Sequence, residues 1–221
     1  MGLKLKINIV NKYEYQESEN YREIVIKLPR DKEELEKDFK YLRLDYNNFS
    51  IQDTHVLECE IIDTNDPAFS ANISQELTNI IDRANTSGYT TPYQNIESMF
   101  SIIKSLNGEE KDKLLAVLEL KRKQICNMQD AVKFGNDLDN YKFYSGIETS
   151  EDYARELIKN NEIKIQDIED YIDMQHLGDD YCYSEAGVFT KHGLIFENEF
   201  INKLKSYTNK NKEMEESEEY E

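Results

Sequence analysis

Cysteine is scarce in this chain. Cys59, Cys126 and Cys182 lie far apart among 221 residues, in no CxxC or Cys/His spacing. This predicts reduced thiols in a cytoplasmic protein and offers neither a disulfide framework nor a cysteine metal centre. Long apolar runs are missing as well: none approaches the ~20 residues needed to span a bilayer. The opening stretch MGLKLKINIV alternates with period two and lacks the apolar core of a signal peptide, so it reads as a strand start. The phosphate-cradling patterns GxGxxG and GxxxxGK[ST] are absent. Spacing alone assembles no Ser-His-Asp or Cys-His arrangement. These absences give no positive sign of a cofactor, a metal site or catalysis. Positive charge shows the largest deficit: 27 Lys and Arg face 45 Asp and Glu, for a formal net charge of -18. Such acidity repels nucleic acid and anionic membranes, so direct binding to either is not expected.

What is present can still bury a core. There are 15 Tyr and 9 Phe, with many Ile and Leu at regular spacings. Mean hydropathy is -0.77, and 33% of residues are charged. Small or elongated domains with much surface explain those values better than one thick core. The excess acid is uneven. Residues 1–66 hold 15 acids and 10 bases, and 67–145 hold 10 and 9. Residues 146–200 hold 14 acids and 4 bases, a net of -10, and 201–221 hold 6 and 4.

The expected fold class is α+β, elongated, in three small domains. Residues 1–66 form an antiparallel sheet with a helix. LKLKINIV and REIVIKLP are strands, Pro29 ends the second, and Asp31 caps a helix to about Lys40. The intervening YEYQESENY reads as a polar connection, and FSIQDTHVLECEII as one or two further strands. Residues 67–140 form a helical bundle of four short helices with apolar stripes such as Ile73, Leu77, Ile80 and Ile81. Residues 141–200 form a mixed α/β domain. YKFYSG is a strand, and Thr149 or Ser150 caps an acidic helix. A second helix covers QDIEDYIDMQHLG, and two short strands flank a Lys-His-Gly turn. Residues 201–221 form a charged, disordered tail.

The acids of the third segment are the candidate functional residues: Glu148, Glu151, Asp152, Glu156, Glu162, Asp167, Glu169, Asp170, Asp173, Asp179, Asp180 and Glu185. A charge run is ordinarily a solvated face. The sharper reading is a row of carboxylates standing in for phosphates, since duplex DNA carries roughly one charge per 1.7 Å of axis. A site for metal or for acid–base work among Asp173, Asp179 and Asp180 lacks a calcium-loop pattern. His176 falls at a helix end, His192 in a His-Gly turn, and His55 in a strand as a buried or half-buried neutral ring. The tyrosines read as packing groups, with Tyr183 and its neighbours a candidate dimer contact.

Residues 171–197 carry a more specific pattern. Tyr171, Ile172, Asp173, Leu177, Gly178 and Asp180 are followed by Gly187, Phe189, His192 and Gly193. This resembles the C-terminal signature of the ArdA-type antirestriction proteins. The resemblance implies an acidic DNA mimic that inhibits type I restriction-modification enzymes by occupying their DNA-binding cleft. It also implies a homodimer joined through the third domain, and DNA-binding subunits of those enzymes as partners. Two features depart from the family pattern. Asp179 stands where a basic residue is common, and the near-neutral middle segment clusters Lys111, Lys113, Lys121, Arg122 and Lys123. Two other readings stay open: an acidic regulatory module for another DNA-processing, transcription or replication protein, and a hydrolase using the Asp/His cluster.

Overall fold

A computed structural model describes residues 3–17, 19–44, 53–160, 162 and 173–198. Residues 45–52, the 163–172 stretch and the 201–221 tail lie outside the described residues. The architecture is mixed α+β, with two three-stranded antiparallel sheets. Cα packing groups the chain into two compact units. One comprises Met1–Lys111 with Lys121–Asn136, the other Asp112–Leu120 with Asp137–Glu221.

In the first unit, β1 (Lys4–Asn11) is the central strand between β2 (Glu23–Leu28) and β3 (Thr54–Ile62). The alternation seen in the sequence is the pleat itself. Leu5, Ile7 and Ile9 are buried, while Lys6 lies on the outer face opposite Glu60, 3.3 Å from its carboxylate. The described part of FSIQDTHVLECEII, from Asp53 on, contributes one strand, β3. Pro29 follows β2, and Asp31 caps α2 (Lys32–Tyr41), its carboxylate accepting from the Glu34 N–H at 2.8 Å.

The polar connection after β1 is not simply a loop. It contains α1 (Lys12–Glu17), with the Asn11 side chain accepting from the Tyr13 and Glu14 N–H groups. No α1 residue is buried, so this helix has no apolar stripe to betray it in the sequence.

The helical middle segment follows its periodicity. The helices are α3 (Pro67–Thr86), α4 (Tyr93–Ser105), α5 (Gly108–Leu120) and α6 (Met128–Asn136). Asp66 caps α3, with Pro67 in its first turn. At the start of α5 the Asn107 and Glu110 side chains each accept from the other's backbone N–H. Asn127 and Asp130 do the same before α6. Ser70 and Ser74 of α3 bond the Ile61 backbone and fix the helix against β3.

His55 anchors the loop entering α4. Its Nδ1 accepts from the Thr91 N–H at 3.1 Å, and the ring is 2% exposed. Burial, aided by the nearby Lys12 charge, lowers its pKa to about 4. The buried ring expected from the sequence is what the structure contains. Because this pKa lies below the unfolded value, the unfolded chain takes up the proton first as pH falls. Stability is therefore full above about pH 6.5 and is lost progressively toward pH 4, by about 3 kcal/mol for the whole shift. Chemical denaturation from pH 7 to 5 should show this decline. His55→Gln, which keeps an acceptor for Thr91, should show a shallower one.

In the second unit, β4 (Tyr141–Ser145), β6 (Gly193–Glu197) and β5 (Val188–Thr190) form the sheet in that order. The helices α7 (Ser150–Lys159) and α8 (Met174–Ser184) pack on each other. The core joins Tyr153, Leu157, Cys182, Leu194 and Phe196, with Tyr144 and Ile147 against them. Tyr144 meets Tyr153 edge-on at 5.3 Å, and Tyr153 meets Phe196 at 5.4 Å. Thr149 is the cap of α7. The second helix of this segment differs from its predicted span. It begins after the cap Asp173 and continues through Gly178 to Ser184.

Candidate functional site

All the described candidate acids belong to the second unit. Glu148 stands in the turn before α7 and is exposed, with no hydrogen-bond or ion-pair partner among the described residues. On α7, Glu151 pairs with Arg155 at 2.7 Å and Glu156 with Lys159 at 3.0 Å. These i,i+4 and i,i+3 cations are visible as spacings in the sequence. Hydrogen bonds from Lys159 and Asn160 lower the Glu156 pKa. Asp152 accepts from the Thr149 hydroxyl at 2.7 Å and closes the cap of α7. Glu162 lies 3.8 Å from Lys142.

On α8, Asp173 is the N-cap and accepts from the His176 N–H at 3.0 Å. Asp179 accepts from the Ser150 hydroxyl and from Gln175. Asp180 is exposed, with the His176 imidazole 3.9 Å away. Glu185 ends the helix, 3.4 Å from the Tyr153 hydroxyl. Asp167, Glu169 and Asp170 lie outside the described residues.

The twelve acids are thus not one equivalent set. Asp152, Asp173 and Asp179 hold helix ends or join α7 to α8, whereas Glu148 and Asp180 are committed to little besides solvent. Among the described residues, no group of three His, Cys, Asp or Glu side chains is placed to hold a metal ion. Cys59 and Cys182 are buried and Cys126 is exposed. Burial, with the Glu58 charge beside it, pushes the Cys59 thiol up to about 12.

Two cations of the middle segment's basic cluster are paired with buried acids of the first unit. Lys111 Nζ lies 2.7 Å from Asp63 and 4.9 Å from the Phe69 ring centre. Arg122 lies 2.9 Å from the buried Glu76. Lys121 is itself buried, with Nζ 5.8 Å from the Phe134 ring centre.

The glycines of the 171–197 pattern have steric explanations. A Cβ on Gly178 would overlap the Ser150 carbonyl, so this residue lets α8 approach the start of α7. On Gly187 it would lie 2.5 Å from the Phe196 ring and 2.8 Å from Cys182 Sγ. Gly193 has φ of +139° and faces the Tyr144 carbonyl across the β4–β6 pair. A family model described as antirestriction protein (ArdA) matches residues 9–196. The chain belongs to the ArdA family. The signature seen in the sequence therefore marks real kinship, and antirestriction is the function the family carries. No curated protein matches the chain.

Within this ArdA chain the signature residues that are described serve largely to build the second unit. Leu177 is half-buried on α8, and Phe189 is partly exposed on β5. The His192 N–H donates to Thr190 Oγ1 at 3.2 Å, and the Thr190 hydroxyl donates to the Gly193 carbonyl at 2.8 Å, closing the turn between β5 and β6. Tyr171 and Ile172 lie outside the described residues. Gly193→Ala combines a disfavoured φ with a backbone clash, and should cost about 2–3 kcal/mol in thermal or denaturant unfolding.

Proposed function

We propose that the protein inhibits type I restriction-modification enzymes by presenting carboxylates where their DNA-binding subunits expect phosphates. The observation that carries this reading is the concentration of acid in residues 146–200, net -10, in a chain of the ArdA family. Proteins that bind duplex DNA meet its backbone with Lys and Arg, and such contacts carry no sequence information. A folded carboxylate surface can therefore occupy the cleft of enzymes with different recognition sequences. The mechanism needs charge held in place, with no bond made or broken, no cofactor and no metal.

Rigidity comes from the second unit: α7 and α8 are capped at their N-termini, packed together through Gly178, and seated on the β4–β6–β5 sheet. The pairing of Lys111 with Asp63 and of Arg122 with Glu76 supports the reading too, since it occupies two cations of the basic cluster. We further propose that the protein acts in the cytoplasm as a homodimer with its contact in 141–200, where Val188 and Phe189 are partly exposed on the outer strand β5.

The test is a methylation and cleavage assay with a purified type I enzyme. The protein should inhibit both reactions, and added non-specific duplex should not be cleaved or bound by the protein itself. Undiminished enzyme activity at a large molar excess of the protein contradicts the proposal. Capture of a different DNA-processing protein in its place would favour the regulatory module.

A further inference from the structure

We infer that Tyr183 is an aromatic anchor that seats the outer face of α8 on a guanidinium-bearing surface of a protein partner. The inference rests on the reading of this unit as partner-binding. Met174, Gly178 and Cys182 form the buried stripe of α8. The 3.6-residue period places His176, Asp180 and Tyr183 together on the opposite side. Tyr183 is 88% exposed, the most exposed of the large apolar side chains among the described residues. An aromatic ring in that position covers nothing in its own unit, and its apolar area can leave water only on association.

Charge decides between the possible occupants. Asp179 and Asp180 precede Tyr183 by one helical turn, within side-chain reach along the surface. α8 contains no Lys or Arg. A second copy docking face to face would set these acids against their own equivalents. An arginine-rich surface supplies the missing countercharge. A guanidinium can lie on the ring within about 6 Å of its centre while its N–H groups reach the Asp180 carboxylate. Lysine matches this pairing less well, because it lacks a planar face.

The ring contact is short-ranged, so its contribution differs from that of the acids. Exposed charges act over a distance that salt shortens, and they mainly set the rate of encounter. A stacked ring acts after contact and sets the rate of departure.

The experiment measures binding of the full chain to a type I methyltransferase core at low and high salt. It compares wild type, Tyr183→Ala, Tyr183→Phe and the double variant Glu148→Gln/Glu162→Gln, whose acids lie outside the ring contact. Tyr183→Ala should raise Kd about tenfold through faster dissociation, by a factor that persists as salt rises. Tyr183→Phe should bind like wild type. The double variant should lose mainly association rate, by a factor that shrinks with salt. Oligomeric state by light scattering should be the same for all four. Wild-type affinity in Tyr183→Ala overturns the assignment and leaves the functional reading intact. A shift of Tyr183→Ala to monomer overturns it by making the ring a self-contact. A wild type that does not bind the core overturns the functional reading and this assignment with it.

Discussion

Neutralising Glu148, Glu151, Glu156, Glu162 and Asp180 together, each to its amide, is expected to weaken binding to the target enzyme by about 3–4 kcal/mol while the fold persists. Each exposed carboxylate contributes only ~0–1 kcal/mol, because water and salt screen it. Any single change should therefore fall within about 1 kcal/mol, and the five should accumulate. The set is chosen from the geometry. Asp152 is left out because it holds the α7 cap Thr149, Asp173 because it caps α8, and Asp179 because it holds Ser150. Removing those would confuse lost charge with lost structure, since a cap alone is worth ~1 kcal/mol. Titration of the variant against the enzyme, with circular dichroism as the control for folding, provides the check. A discrete catalytic or metal carboxylate would behave in the opposite way, with one of the five single variants removing all activity.

The second large effect concerns stability. Lys111→Met is expected to cost about 3–5 kcal/mol, since it strands the buried Asp63 carboxylate without its cation. The Lys111 hydrogen bond is the main reason the Asp63 pKa is depressed. A depressed carboxylate contributes stability above its unfolded pKa and loses it as pH falls through the folded one. Without Lys111 most of that contribution is lost, and only the Asn65 and Asp66 N–H groups remain to oppose the effect of burial. Adding Asp63→Asn to Lys111→Met should restore much of the loss, because the amide still accepts from the Asn65 N–H and carries no charge. Denaturant unfolding of the two variants compares them directly. Equal stability of Lys111→Met and the wild type would show that the pair contributes little.

How much of this could be read from residues alone depended on range. Helices α3, α4 and α6 were legible because each buries a stripe at helical spacing, and α5 through its apolar run Leu114–Leu118; three of the four begin at recognisable Asp or Asn caps. The strands β1 and β2 were legible through alternation and Pro29. The helix α1 was not, because it buries nothing. The span of α8 was misjudged at Gly178, since a glycine within a helical pattern ordinarily suggests its end. Here it is a packing contact with Ser150, 28 residues away in sequence. The same limit applied to charge. Net acidity and the position of each carboxylate were plain, and the Arg155 and Lys159 partners were there to be counted. The pairing of Lys111 with Asp63 and of Arg122 with Glu76 joins residues far apart in the chain, and only the fold reveals that these cations are already occupied. Kinship was the most legible feature of all, because the 171–197 pattern packs three sterically required glycines between fixed neighbours.

The central claim is that this protein and DNA compete for one basic cleft, and equilibrium competition tests it most directly. A fixed amount of methyltransferase core, loaded with labelled duplex, is titrated with the protein at several duplex and salt concentrations. The account predicts full displacement, an apparent Kd that rises in proportion to duplex concentration, and association that slows as salt rises because the attraction of a chain of net charge -18 is screened. Binding of the protein to the core together with its duplex, with an affinity indifferent to both duplex and salt, would contradict it.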